Sequence, residues 1–102
     1  MSLQVYIHCV TNRVFKILTI KERELCGQES FLQDYLKSLV IDLYGALQTF
    51  PNLGLNDNYI VVTNIVNYLS THDVEYKALK REVFKALRLL NKIESKVGGE
   101  GV

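Results

Sequence analysis

The chain has 102 residues, of which 48% are hydrophobic and 23% are charged, and its formal net charge is +1. This length fits one domain and is too short for two, and so apolar a composition argues against a disordered chain. The near-neutral charge argues against a globally basic nucleic-acid-binding protein, and no apolar stretch approaches the ~20 residues that a membrane-spanning helix needs.

The first ten residues lack the basic start and the small-residue cleavage site of a signal peptide. The two cysteines, Cys9 and Cys26, are too few to form a disulfide framework. We therefore expect a cytoplasmic protein without membrane insertion, in which both thiols stay reduced.

Residues 3–25 are compatible with two structures. A helix is indicated by apolar residues at steps of three and four: Leu3, Ile7, Val10, Val14 and Ile17. Strict alternation from Leu3 to Cys9 is also compatible with a β-hairpin that turns at Thr11-Asn12. We favour the helix because Thr-Asn is a weaker tight turn than Asn-Gly, and because the helical pattern continues to a natural stop at Gly27.

A second helix is predicted over residues 30–50. Its apolar positions keep the same spacing: Leu32, Leu36, Leu39, Leu43, Ala46 and Phe50. Ser30 and Gln33 have the spacing of a capping box at its start, and Pro51 ends it.

A third helix is predicted from about Asp57 to Ser70, with Val62, Ile65 and Leu69 on its apolar side. In the connection before it, we expect Asn56 or Asp57 to cap the helix, and Leu53 or Leu55 to pack beneath its start. The Asn-Asp-Asn run has some likeness to a calcium loop, but the twelfth position is Asn67 rather than glutamate.

The fourth helix, residues 73–97, has the clearest pattern. Its apolar stripe comprises Tyr76, Leu79, Val83, Ala86, Leu90, Ile93 and Val97. Asp73 is the predicted N-cap, and Gly98 is the predicted stop.

Four helices with short connections predict an all-α, antiparallel four-helix bundle. The alternative fold is α+β, with an N-terminal β-hairpin packed on three helices. Either fold is one domain over residues 1–102, in which we expect residues 98–102 to form a disordered tail.

Basic residues recur on the side of the fourth helix opposite its apolar stripe: Lys77, Arg81, Lys85, Arg88 and Lys92. Such a stripe can follow a phosphate backbone or an anionic surface. It is also what an ordinary solvated helix face looks like. We favour the solvated face, because no aromatic residue is interleaved with the charges to stack on bases.

Apolar residues also occur outside the main stripes, on the second, third and fourth helices: Ile41, Tyr44, Tyr59, Ile60, Tyr68 and Phe84. A bundle helix needs an apolar arc of only about 100°. The extra residues therefore indicate either a wider core or a surface for a second chain.

Residues that bind metals or act as nucleophiles are few and badly spaced. His8, Cys9, Cys26 and His72 lack the spacing of a structural zinc site, and adjacent residues on a helix point about 100° apart, so His8 is badly placed to activate Cys9. We predict no catalytic residue, no metal, no cofactor and no enzymatic activity.

The leading hypothesis is a small bacterial or phage adaptor protein that binds a protein partner and forms a homodimer. The alternative is a nucleic-acid-binding module that uses the basic stripe. A third hypothesis is a bundle similar to bacteriocin-immunity proteins, a likeness that rests on length and architecture alone.

Overall fold

Four stretches with an apolar residue at every third or fourth position form the helices of the protein. The computed structural model describes residues 2–28 and 31–100. In these ranges it contains α1 (Leu3–Leu25), α2 (Leu32–Thr49), α3 (Asp57–Thr71) and α4 (Tyr76–Glu100), with a 3-10 turn at Pro51–Leu55 and no strand. The all-α prediction is confirmed, and the α+β alternative is wrong.

Helix α1 is continuous through the residues that a hairpin would have used as its turn. The Thr11 hydroxyl donates to the Ile7 carbonyl at 2.8 Å, one turn back along the same helix. Gly27 ends α1 as predicted, because its φ of 83° is left-handed. The amide of Gln28 then bonds the Arg23 carbonyl at 3.0 Å, and that of Gly27 bonds the Glu24 carbonyl at 3.1 Å, which is a Schellman motif.

The helices are antiparallel to their neighbours. The start of α1 meets the end of α4, where His8 Nδ1 lies 3.4 Å from Glu94 Oε1. The end of α1 meets the start of α4, where the Tyr76 hydroxyl donates to Glu22 at 2.6 Å. Helix α2 joins α1 through the ion pair of Arg13 with Asp42. Because α3 packs against both α2 and α4, the four helices close into an up-down-up-down bundle.

The core consists of most of the predicted stripe residues as far as Ile93, together with Leu18, Val40, Leu53, Tyr59 and Val66. Its most deeply buried large side chains are Ile7, Val10, Val14, Ile17, Leu36, Leu39, Leu43, Tyr59, Leu69, Leu79, Leu90 and Ile93. Leu3, Phe50 and Tyr76, at the edges of the stripes, are only partly buried against this core.

The connection between α2 and α3 follows the prediction. Helix α2 stops at Thr49, two residues before Pro51. Asn56 caps α3, since its side chain accepts the Tyr59 amide at 3.2 Å. Leu53 is buried beneath the helix start, whereas Leu55 is 83% exposed.

Both predicted ends of the fourth helix are wrong. Helix α4 begins at Tyr76, three residues after Asp73, because its first turn is closed by the Leu79 amide on the Glu75 carbonyl. Asp73 lies instead 3.8 Å from Lys21 Nζ. Helix α4 also continues through Gly98 to Glu100. Ser30 of the predicted capping box and the last two residues of the predicted tail lie outside the described residues.

We expect Leu36→Ala to lower the free energy of unfolding by about 2–5 kcal/mol, because it removes a fully buried side chain from the centre of the bundle. The matched control is Lys37→Ala at the exposed neighbouring position, which should cost less than about 0.5 kcal/mol. Urea unfolding followed by circular dichroism measures both. Similar losses from the two variants would contradict this assignment of the core.

Candidate protein-interaction surface

Helices α2 and α3 carry large apolar side chains on their outer sides. Ile41 is the most exposed of them at 69%, and Tyr44 lies three residues further along the same side of α2. On α3, Ile60, Val61 and Tyr68 are exposed on the side opposite the buried Val62 and Val66. We call these five residues the α2–α3 face: Ile41, Tyr44, Ile60, Val61 and Tyr68.

The α2–α3 face includes two shallow grooves, one on each side of α3. The groove between α2 and α3 has a volume of about 140 Å³, and Tyr44, Leu47 and Ile60 line it. The groove between α3 and α4 has a volume of about 370 Å³, and Val61, Tyr68, Val74 and Ala78 contribute its apolar walls. Asn64 borders both grooves, so the surface is continuous across α3.

Polar groups border the second groove on the α4 side. Arg81 and Glu82 form part of its rim and lie 3.9 Å apart, as Nε and Oε1. At the end of α3, the Tyr68 ring stacks on His72 with 4.2 Å between ring centroids. The Nδ1 atom of His72 also lies 3.0 Å from the Tyr68 carbonyl, which fixes the imidazole beside the face.

Tyr59 does not belong to this surface, contrary to the prediction. It is 1% exposed, and its hydroxyl donates to the Leu43 carbonyl and lies 3.4 Å from the Tyr6 hydroxyl. Burial raises the pKa of Tyr59 well above that of an exposed tyrosine. Its spacing already indicated the core, since Tyr59 lies three residues before Val62 and seven before Val66.

Phe84 is exposed, but it lies on a different side of the bundle from the α2–α3 face. The α4 residues that face α3 include Ala78, Arg81 and Glu82. Tyr76 contacts α1, and Phe84 follows it by eight residues. Eight residues make two full turns of helix plus about 80°, so Phe84 lies about 80° around α4 from the side that faces α1. Lys80 Nζ lies 5.9 Å from the centroid of the Phe84 ring.

Of the six predicted surface residues, the structure brings four together on the α2–α3 face: Ile41, Tyr44, Ile60 and Tyr68.

All five residues of the predicted basic stripe are exposed on the outer side of α4: Lys77, Arg81, Lys85, Arg88 and Lys92. They lie opposite the buried Leu79, Val83, Ala86 and Leu90, so the stripe points straight into solvent. Arg81 alone among them also borders the groove between α3 and α4.

The thiols and imidazoles are dispersed. Cys9 and Cys26 are free and exposed. Across residues 2–28 and 31–96, no three side chains of His, Cys, Asp or Glu converge where they could hold a metal ion. In the same part of the chain, no helix has the length and apolar character needed to cross a bilayer.

Removing the buried hydroxyl of Tyr59 should destabilise the fold. We expect Tyr59→Phe to lower the free energy of unfolding by about 1 kcal/mol, because the ring stays packed but the hydrogen bond to Leu43 is lost. Tyr44→Phe is the control, since its side chain is half exposed, and it should change stability by less than about 0.5 kcal/mol. Urea unfolding measures the free energy of unfolding of both variants. A larger decrease for Tyr44→Phe than for Tyr59→Phe would contradict the role of the Tyr59 hydroxyl.

Alkaline pH provides a second test of the Tyr59 site. The unfolded chain releases the phenol proton near pH 10, whereas burial keeps it bound in the folded protein. Stability from this group is complete below pH 10 and falls as the pH rises further, because the folded state then holds more protons than the unfolded state. Wild-type protein should therefore lose more unfolding free energy between pH 8 and about pH 11 than Tyr59→Phe. Equal losses would be inconsistent with a buried, protonated phenol.

The surfaces described above are characterised by geometry alone. No protein-family model matches this chain, and neither a curated protein nor a solved structure matches it.

Proposed function

We propose that this chain is a non-catalytic interaction protein, and that two copies associate through the α2–α3 face. The observation that carries the proposal is the clustering of five large apolar side chains on the outer sides of two adjacent helices. Single exposed apolar residues are ordinary, but a contiguous apolar patch on a small protein marks an interaction site.

The chemistry of the face supports a protein as its occupant. Two of its five residues are tyrosines, and aromatic residues are enriched in protein interfaces because they bury a large area while keeping a polar tip. Interface cores are also depleted in charge. Residues 31–71 contain only four charged side chains, Asp34, Lys37, Asp42 and Asp57, and Asp42 is already paired with Arg13.

The same chemistry favours a second copy of this chain as that occupant. In a two-fold dimer the same patch of both copies forms the contact, so the patch must be able to pack against an identical patch with identical charges. The five residues of the α2–α3 face carry no charge, so they meet that condition. The outer side of α4 does not, because five cations would face five cations.

Light scattering tests this association. Wild-type protein at tens of micromolar should have twice the mass of one chain, and Ile60→Glu should weaken the dimer at least about ten-fold by burying a charge at the centre of the face. Val5→Glu, at an exposed apolar position of α1, is the matched control and should leave the dimer intact. Circular dichroism confirms that both variants stay folded.

A wild-type protein that remains monomeric at this concentration would contradict the self-association. A dimer that Val5→Glu disrupts and Ile60→Glu does not would place the contact on another face.

A further inference from the structure

The two halves of the bundle differ in charge. Residues 2–28 and 72–96, which contain α1 and most of α4, carry eleven basic and six acidic residues. Residues 31–71, which contain α2 and α3, carry one basic and three acidic residues. Because α1 and α4 pack side by side, the positive charge is concentrated on one half of the molecule.

Two exposed phenylalanines lie on that basic half at the same height along the bundle. Phe15 is midway between His8 and Glu22, which contact Glu94 and Tyr76 of α4. The position midway between Tyr76 and Glu94 is residue 85, next to Phe84. Phe15 is 54% exposed and Phe84 is 43% exposed.

Cations surround the Phe84 ring. Lys80 and Arg88 lie four residues before and after Phe84, which places all three on one row of α4. Lys80 Nζ is 5.9 Å from the ring centroid. The sequence interpretation found no aromatic residue among the basic charges, but the structure places Phe84 at the edge of the stripe. We call Phe15, Lys80, Phe84 and the five residues of the basic stripe the α1–α4 face.

We propose that the α1–α4 face binds single-stranded nucleic acid. Its cations neutralise phosphates along the strand, and the two phenylalanine rings offer stacking surfaces for bases that are not already stacked in a duplex. The cations from Lys77 to Lys92 extend over about 22 Å of helix, enough to follow a short stretch of strand. Neither the charges nor the rings select a sequence, so binding should tolerate different bases.

Two other polyanionic partners suit this surface less well. A duplex keeps its bases stacked, so it would use the cations and leave both rings without a role. An anionic membrane is held by amphipathic helices that insert a wide apolar side. The apolar stripe of α4 is buried in the core. In the described part of α1 and α4 only four large apolar side chains are exposed, and they do not make a wide apolar side: Val5, Phe15, Leu25 and Phe84.

This proposal does not depend on dimerisation, because the two faces lie on opposite halves of the bundle and only Arg81 of the basic stripe borders a groove of the α2–α3 face. If two copies join through their α2–α3 faces, their basic halves point away from each other and provide two separate binding surfaces.

Fluorescence anisotropy with a labelled oligothymidylate tests the proposal on the full chain. The wild type should bind, and its affinity should fall at least about ten-fold between roughly 50 and 200 mM salt as counterion release becomes less favourable. Lys80→Glu with Arg88→Glu should lower the affinity at least about ten-fold. Phe84→Ala should lower it by roughly five-fold or more through lost stacking.

Matched controls come from α2 and from Phe31, the residue before it. Lys37→Glu changes an exposed base outside the α1–α4 face, and Phe31→Ala removes an exposed ring outside it. Both should bind the oligothymidylate as the wild type does. All variants should keep the helical content of the wild type by circular dichroism, and Lys80→Glu with Arg88→Glu should keep its mass in light scattering.

Three results would overturn the proposal. One is the absence of oligothymidylate binding at low salt. Another is equal affinity for a duplex of the same length together with no effect of Phe84→Ala, which would indicate contact with phosphates alone. The third is binding to phosphatidylserine-containing vesicles without binding to the oligothymidylate.

Discussion

A helix in a four-helix bundle can direct only part of its circumference toward the shared core, and this constraint determines what remains outside. Helix α4 satisfies it fully: one narrow apolar stripe is buried, and charged residues occupy most of the opposite side. Helix α3 does not, because apolar residues extend from its buried side to Ile60, Val61 and Tyr68 on its outer side. The burial that stabilises the bundle therefore leaves apolar area uncovered on α2 and α3, and covering that area is what an associating partner would contribute.

The order of the helices around the bundle gives the molecule two different sides. Because α1 pairs with α4 and α2 pairs with α3, the basic residues of the first pair and the apolar outer residues of the second are kept apart. Contacts at both ends of the α1–α4 pair, His8 with Glu94 and Tyr76 with Glu22, set its register. That register brings Phe15 to the level of Phe84. A polyanion on one side and a protein on the other would then have one residue in common, Arg81, which borders the groove between α3 and α4.

Spacing predicted the fold well because core positions recur at intervals that only a helix brings to one side. The N-terminal segment was ambiguous because its apolar residues fit both a helical and an alternating pattern. The turn chemistry at Thr11-Asn12 favoured the helix, and the structure agrees. The ends of α4 were predicted wrongly, since a good capping residue such as Asp73 does not fix where the first turn closes.

The candidate surfaces were harder to predict, because they depend on which neighbour covers each side of a helix. Tyr59 was assigned to the surface although its spacing to Val62 and Val66 places it in the core. Val61 was missed because it lies four residues before Ile65, and this spacing suggests the buried side of α3 rather than the exposed one. Phe84 was grouped with α2 and α3, since one sequence does not show that its side of α4 lies toward α1.

Isotope-filtered NMR on a mixture of labelled and unlabelled protein tests most directly the proposed contact between the α2–α3 faces of two copies of this chain. If the copies meet there, intermolecular contacts should connect the rings of Tyr44 and Tyr68 to the methyl groups of Ile41 and Ile60. Intermolecular contacts confined to residues of α1 and α4, or the absence of any, would contradict it.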